Sequence, residues 1–128
     1  MKTAYLNADV DFDIYIDQPK GFVEYDDLGN KLVFKLNKSI YGLKQSGRMW
    51  YNLLHDFLIA NDFIQSTSDY CVYTRKRGES QVILIVWVDD IIVAGSTTED
   101  ANEVKSMLSK RFRMKDFGSI SNFLGIQF

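Results

Sequence analysis

One cysteine, one proline and one histidine stand among 128 residues, and each scarcity narrows the reading. With Cys71 alone there is no internal disulfide and no zinc cluster, which fits a reducing compartment. Cys71 lies in the apolar-leaning run Asp69-Tyr70-Cys71-Val72-Tyr73, which predicts a core thiol and not a nucleophile. His55, set between Leu54 and Asp56 on a predicted helix, has no second histidine near it and receives no role. No apolar run approaches the roughly 20 residues of a membrane span, and no signal-peptide pattern is visible; the expectation is an intracellular chain with no membrane partner. No repeat, low-complexity tract or Pro/Gly/Ser linker divides the chain, which predicts one structural unit. A net charge of −2 leaves no footprint for nucleic acid by itself. What is present is apolar and aromatic: 46% and 14% of residues, enough for a folded globule and too much for a disordered segment. The length suits one domain with a real core.

Charge is unevenly placed. Lys31, Lys35, Lys38, Lys44 and Arg48 follow one another with no Asp or Glu between them, whereas Asp9, Asp11, Asp13 and Asp17 form an acidic arm. A basic stretch beside an acidic arm can steer a polyanion to one face; a solvated surface explains it equally well.

The patterning predicts an α+β fold. The chain reads as irregular through Pro19-Lys20-Gly21, with a turn at Asp26-Asp27-Leu28-Gly29-Asn30. Lys31 to Leu36 alternates, with Leu32, Phe34 and Leu36 on one face of a strand. A helix opens at Ser46 or Gly47 and runs to about Asn61, its Trp50, Leu53, Leu54, Phe57 and Leu58 forming one apolar stripe. A strand near Tyr70 to Arg75 turns at Arg75-Lys76-Arg77-Gly78. Ser96-Thr97-Thr98-Glu99 has the capping-box pattern, starting a helix that buries Ala101, Val104, Leu108 and Phe112, with Lys105, Lys110 and Arg111 outside and suited to its dipole. A last strand spans Phe123 to Phe128. Hairpins with interleaved helices and few parallel crossovers spell α+β.

The segment richest in chemistry is Val82-Ile83-Leu84-Ile85-Val86-Trp87-Val88, then Asp89-Asp90, then Ile91-Ile92-Val93-Ala94-Gly95. It reads as two buried strands joined by a very tight turn. Two carboxylates at a buried apex lose hydration and repel each other, costing several kcal/mol unless compensated. A divalent cation compensates both, and hard oxygen ligands suit magnesium or manganese. The other reading is a solvated turn, although hairpin turns favour Gly-containing pairs over Asp-Asp.

Further blocks give the chain a resemblance. Lys2-Thr3-Ala4-Tyr5-Leu6-Asn7, Ile14-Tyr15-Ile16-Asp17-Gln18-Pro19-Lys20-Gly21-Phe22, Leu36-Asn37-Lys38-Ser39-Ile40-Tyr41-Gly42-Leu43-Lys44-Gln45-Ser46 with Arg48 and Trp50-Tyr51, Trp87-Val88-Asp89-Asp90, and Asp116-Phe117-Gly118 with Phe123-Leu124-Gly125-Ile126 occur in order along nearly the whole chain. Together they resemble the reverse transcriptase of copia-type long-terminal-repeat retrotransposons. The resemblance implies an antiparallel polymerase palm with flanking helices and part of the fingers. It also implies templated DNA synthesis, in which a primer 3′-hydroxyl attacks a nucleotide α-phosphate with two magnesium (or manganese) ions.

By the same resemblance Asp89 is the principal metal ligand and Asp90 a secondary one. Trp87 and Val88 lie on the primer side, and Tyr5 is the aromatic gate that excludes a 2′-hydroxyl. Gly42, Lys44 and Gln45 pack against nucleotide and template. Without the family, Tyr5 reads as a buried aromatic and Lys44 as a surface charge. The implied partners are an RNA or DNA template-primer, deoxynucleotides and the remaining Pol domains, in a cytoplasmic, particle-associated setting.

Three departures stand out. The family's other essential aspartate lies two residues before the Lys matched by Lys2, and Met1 takes the intervening Val position, so that aspartate would precede residue 1. Asp9, Asp11 or Asp13 could stand in for it only from an acidic arm that reads as solvated. Gly47 replaces the family's Pro, loosening the helix start, and Trp87 replaces Tyr. Residues 1–128 are therefore expected to be a reverse transcriptase domain truncated at both ends, without a thumb, inactive alone and a weak, salt-sensitive binder of nucleic acid. The alternative is a retroelement remnant that binds at most nucleic acid or a protein. Trp50, Phe57 or Phe128 is expected to be partly exposed.

Overall fold

Four strands between Ile64 and Gly95 pair into an antiparallel meander, the largest sheet among the described residues. In a computed structural model, which describes residues 3–127, that sheet runs in the order β3 (Ile64–Gln65), β4 (Val72–Arg77), β5 (Ser80–Trp87) and β6 (Asp90–Gly95). The earlier elements are a 3-10 turn at Tyr5–Asn7, β1 (Tyr15–Asp17), β2 (Val33–Lys35) and helix α1 (Ser46–Ile59). Helix α2 (Thr98–Arg111) and a small hairpin of β7 (Asn122–Phe123) and β8 (Ile126–Gln127) follow. All sheet pairings are antiparallel, so the α+β expectation holds. Met1, Lys2 and Phe128, all invoked in the sequence reading, lie outside the described residues. No described helix is long and apolar enough to cross a membrane.

The sequence predicts one structural unit, but the chain divides into two compact ones: Tyr5–Trp50, and the residues from Tyr51 onward together with Thr3 and Ala4. In the Tyr5–Trp50 unit, β1 pairs with β2 so that Tyr15 faces Lys35 and Asp17 faces Val33. The pattern missed β1 because three residues are too few to show a period. It also overrated β2, whose three residues are all exposed. The predicted turn is real: Asp26 Oδ1 accepts from the backbone N–H of Leu28 and Asn30 at 2.9 and 2.8 Å. Gln18, 6% exposed, crosses this loop like an extra strand. Its Nε2 donates to the carbonyls of Glu24 and Leu32 at 3.0 and 2.7 Å, and its Oε1 accepts from Glu24 N–H at 2.5 Å.

The larger unit holds most of the core. Leu54, Leu58, Phe63, Tyr73, Val82, Leu84, Val104, Leu108 and Phe112 are each at most 3% exposed, and each such burial contributes about 1.5–3 kcal/mol. The stripe on α1 behaves as read, with Leu54 and Leu58 buried and Phe57 edge-on to Phe112 at 5.1 Å. Of the residues expected to be partly exposed, Trp50 is buried at 2% and Phe57 is half-buried. Among the most exposed large apolar side chains are Phe22 and Leu28 in the first unit and Ile64 and Phe117 in the second.

Helix α1 closes on Asp62, whose φ of 66° lets Phe63 N–H reach the Leu58 carbonyl at 3.1 Å. Helix α2 is capped one residue later than the pattern suggested. Thr97 Oγ1 accepts from Asp100 N–H, and Asp100 accepts from Thr97 N–H; the pair is therefore Thr97 and Asp100, not Ser96 and Glu99. The β4–β5 turn lies at Gly78-Glu79 instead of Arg75–Gly78. The predicted last strand is a hairpin turning at Leu124-Gly125, with φ of 51° and 82°.

Asp100 also accepts from Ser80 Oγ at 2.6 Å. That bond, followed by those to Thr97, holds its carboxyl below the ordinary 3.8. A folded-state value below the unfolded one stabilises the fold above the unfolded pKa, and the contribution is lost as pH falls through the folded value. Stability measured by chemical denaturation should therefore decline below pH ~4, and Asp100→Asn should make that decline shallower.

Candidate active site

The β5–β6 hairpin turns in two residues, Val88 and Asp89, because Trp87 pairs with Asp90. Val88 sits at φ 52°, a conformation that costs an L-residue about 1–2 kcal/mol and is an outlier for a β-branched side chain. A Gly would satisfy this position without strain; a strained residue here fits a turn shaped for its side chains. Asp89 is half-buried in the turn and Asp90, the first residue of β6, is exposed.

The expectation of two buried strands is corrected. Val82 and Leu84 are buried, but Ile83, Ile85 and Trp87 on the alternate face are 36, 39 and 53% exposed. The argument that burial forces the two carboxylates onto a cation therefore loses its premise, since water reaches them. What remains is placement: two consecutive carboxylates at the tip of a hairpin six residue pairs long.

Whether those groups suit a divalent ion depends on the donor set. Among the described residues no cluster of three or more His, Cys, Asp or Glu could hold a metal. Two carboxylates do fit magnesium, which is commonly held by one or two of them plus waters and substrate phosphates.

The other sequence-predicted residues lie in the Tyr5–Trp50 unit. Tyr5, half-buried in its 3-10 turn, has its ring 4.3 Å from that of Tyr41, tilted by 56°. Gly42 has φ 97°, so only glycine takes this bend without strain. Lys44 is exposed and Gln45 half-buried. Gln45 supplies the carbonyl that accepts from Met49 N–H at 3.0 Å as α1 begins, and Ser46 Oγ donates to the Ile40 carbonyl at 2.5 Å. The structure thus brings Trp87, Val88, Asp89 and Asp90 together on one turn, and gathers Tyr5 with the Tyr41–Gln45 bend.

Two corrections concern single residues. Cys71 is exposed, not a core thiol, because it precedes β4 in a turn where Asp69 Oδ1 accepts its N–H at 2.8 Å. Partial burial, with Asp69 beside it, pushes its thiol pKa up, so it remains a poor nucleophile. His55 has a structural place after all. Its Nδ1 lies 3.1 Å from Tyr73 Oη, and Gln65 Nε2 lies 3.0 Å from the same oxygen and 2.7 Å from Tyr51 Oη. Burial pushes the Tyr73 phenol far above its ordinary value.

Three of the five cations pair with three of the four aspartates of the acidic arm. Lys31 meets Asp17 at 3.0 Å, Lys35 meets Asp13 at 2.5 Å and Lys38 meets Asp9 at 2.6 Å. As the aspartate numbers rise, those of their lysine partners fall in step, as an antiparallel ribbon requires.

Comparison with known proteins gives this geometry a family. Residues 1–128 match the model of the family described as reverse transcriptase (RNA-dependent DNA polymerase). The chain is 40% identical to the retrovirus-related Pol polyprotein from transposon TNT 1-94 of Nicotiana tabacum, over 99% of the chain and 10% of that protein. It is 37% identical to the corresponding polyprotein from transposon RE1 of Arabidopsis thaliana, over 99% of the chain and 8% of that protein. A putative transposon Ty5-1 protein of Saccharomyces cerevisiae is 33% identical over 97% of the chain and 40% of its own length. The chain thus spans about a tenth of the two plant polyproteins. No solved structure matches it. With a family match along its whole length and Pol polyproteins of copia-type transposons as its relatives, the chain belongs to the reverse transcriptase family of copia-type retrotransposons.

Proposed function

We propose that residues 1–128 carry the catalytic turn of an RNA-directed DNA polymerase, as palm and partial fingers, and that a Pol-length protein carrying them performs template-primed nucleotidyl transfer. The observation that carries this reading is the Val88-Asp89 turn, which sets Asp89 and Asp90 side by side at the hairpin tip. Asp89 and Asp90 would hold magnesium or manganese, Asp89 as the principal ligand. When bound, two such ions activate the primer 3′-hydroxyl and offset charge on the departing pyrophosphate.

The chain's own groups bind and orient. The Tyr5 ring, backed by Tyr41, stands where a 2′-hydroxyl would be refused. The Gly42 bend brings backbone close to the nucleotide, Lys44 offers it a cation, and Gln45 contacts the template side. Trp87 and Val88 flank the primer end. The relatives are named as Pol polyproteins, so the remaining Pol domains, a template-primer and deoxynucleotides are the proposed partners, in an intracellular, particle-associated setting.

Residues 1–128 alone are proposed to be inactive, because among the described residues no third His, Cys, Asp or Glu joins Asp89 and Asp90 in a group that could hold a metal. Primer extension tests both statements. We expect none from residues 1–128, and magnesium-dependent extension from a Pol-length protein that carries an Asp at the family position upstream of Lys2. Extension by residues 1–128 alone, lost on Asp89→Asn, would overturn the inactivity. No extension by the longer protein would overturn the polymerase reading.

A further inference from the structure

The β1–β2 ribbon is electrically self-cancelling. Successive strand side chains alternate between faces, and the register sets Tyr15 opposite Lys35 and Asp17 opposite Val33 on one face. That face carries Lys31–Asp17 and Lys35–Asp13, and the ladder continues past the strand ends to Lys38–Asp9, where Asp9 and Lys38 are themselves bridged. The lysine side chains are 44, 53 and 47% exposed and their aspartates 83, 63 and 81%. Ion pairs this open are worth about 0–1 kcal/mol each, little enough for an incoming phosphate to compete with. Lys31 and Lys35, four residues apart, are separated by about 13 Å along the strand, a spacing suited to an extended polyanion. Lys35 also lies 6.0 Å over the Tyr15 ring, an aromatic 56% exposed on which a base can stack.

We infer that this ribbon is a latent nucleic-acid-backbone site, masked by its own acidic arm: Asp9, Asp13 and Asp17 occupy the lysines that phosphates would otherwise take. The inference rests on the polymerase reading for its ligand class and adds a regulation to it. In the masked state Lys31, Lys35 and Lys38 release no counterions on binding, so affinity is low and the salt dependence shallow. Displacement of the three carboxylates from their lysines exposes the cations of Lys31, Lys35 and Lys38 on the ribbon.

The test is titration of a fluorescent 20-nucleotide oligodeoxythymidylate with residues 1–128 across salt concentrations. The variant Asp9→Asn/Asp13→Asn/Asp17→Asn should bind about tenfold tighter or better. Its slope of log affinity against log salt should become more negative by about 2, the value for three phosphates on a single strand. Adding Lys31→Gln/Lys35→Gln/Lys38→Gln to that variant should return both to the unmodified level, whereas the same lysine changes in the unmodified chain should have little effect.

The control removes the same charge elsewhere, with Asp11→Asn/Asp27→Asn/Glu79→Gln; no lysine pairs with these three among the described residues. Equal tightening by the control would overturn the masking, since net charge alone would then explain it. Tightening that survives loss of the lysines would overturn it too, as would no tightening in chains whose circular dichroism matches the unmodified protein. Primer extension by the longer protein reads the polymerase assignment separately, so the two can fail independently.

Discussion

In the extension-competent protein, Asp89→Asn should lower template-primed synthesis by at least about 100-fold while leaving the melting temperature unchanged. The scale follows from what is removed: groups that merely orient a metal ligand typically cost 10- to 100-fold when lost, and Asp89 is proposed as a ligand itself. Asn keeps the size and one oxygen but not the charge, so magnesium affinity should fall with the rate, and higher magnesium should restore part of it. Stability should hold within about 0.5 kcal/mol, the usual range for surface positions, because Asp89 is half-buried and occupies a turn instead of the core. Asp90→Asn should be milder, since Asp90 is exposed at the start of β6 and opposite Trp87. Rates measured across magnesium concentrations separate the two variants. Equal, magnesium-independent losses would assign both residues to shaping the turn and neither to the metal.

The elements that the sequence announced are those whose period is long enough to count. Trp50, Leu53, Leu54, Phe57 and Leu58 repeat over two turns, and α1 formed where they predicted. The β5–β6 hairpin, with a run of apolar residues on each side of the acids, formed with a tight two-residue turn, but at Val88-Asp89, one residue before the expected Asp89-Asp90. The short elements β1, β3 and β7 were illegible because two or three residues cannot display alternation. β1 and β3 form through pairing with strands farther along the chain, and β7 through the tight turn at Leu124-Gly125.

Burial was the weaker inference. An unbroken apolar run looks the same whether both faces of a sheet are covered or one, so Ile83, Ile85 and Trp87 were read as interior although one face of their strand is open. The carboxylate pair and the Tyr41–Gln45 bend were legible as residues, and the bend's glycine as a necessity of φ. The cross-strand ion pairs were legible only as two opposite charge biases, since pairing depends on a register that the short strands did not declare. Single polar residues such as Gln18 and His55 carried no signal, because their partners are backbone carbonyls and a tyrosine hydroxyl brought close by folding.

Gly95→Ala should destabilise the protein by about 1–3 kcal/mol, the usual cost of forcing a methyl into filled space, and lower the melting temperature by about 4 °C per kcal/mol. Gly95 ends β6, and a Cβ there would sit 2.8 Å from Ala101 N, 2.8 Å from the Thr97 carbonyl oxygen and 3.0 Å from Asp100 Cβ. Two of those three atoms are backbone, so no rotamer change relieves the contact; the strand end or the first turn of α2 must move. That turn is where Thr97 and Asp100 cap each other and Asp100 accepts from Ser80. Displacing it therefore endangers a cap worth about 1 kcal/mol as well. The requirement is for space and not for conformation, since Gly95 is absent from the positive-φ glycines. Gly47→Ala is the matched control: a Cβ at Gly47 meets nothing within 4 Å, and in a helix Ala is favoured over Gly by about 0.5–1 kcal/mol. Opposite shifts in melting temperature for the two Gly→Ala changes are the expected result. If Gly95→Ala melted with the unmodified chain, the close seating of α2 on the end of β6 would be wrong. With it would go the account of what fixes the strand that begins at Asp90.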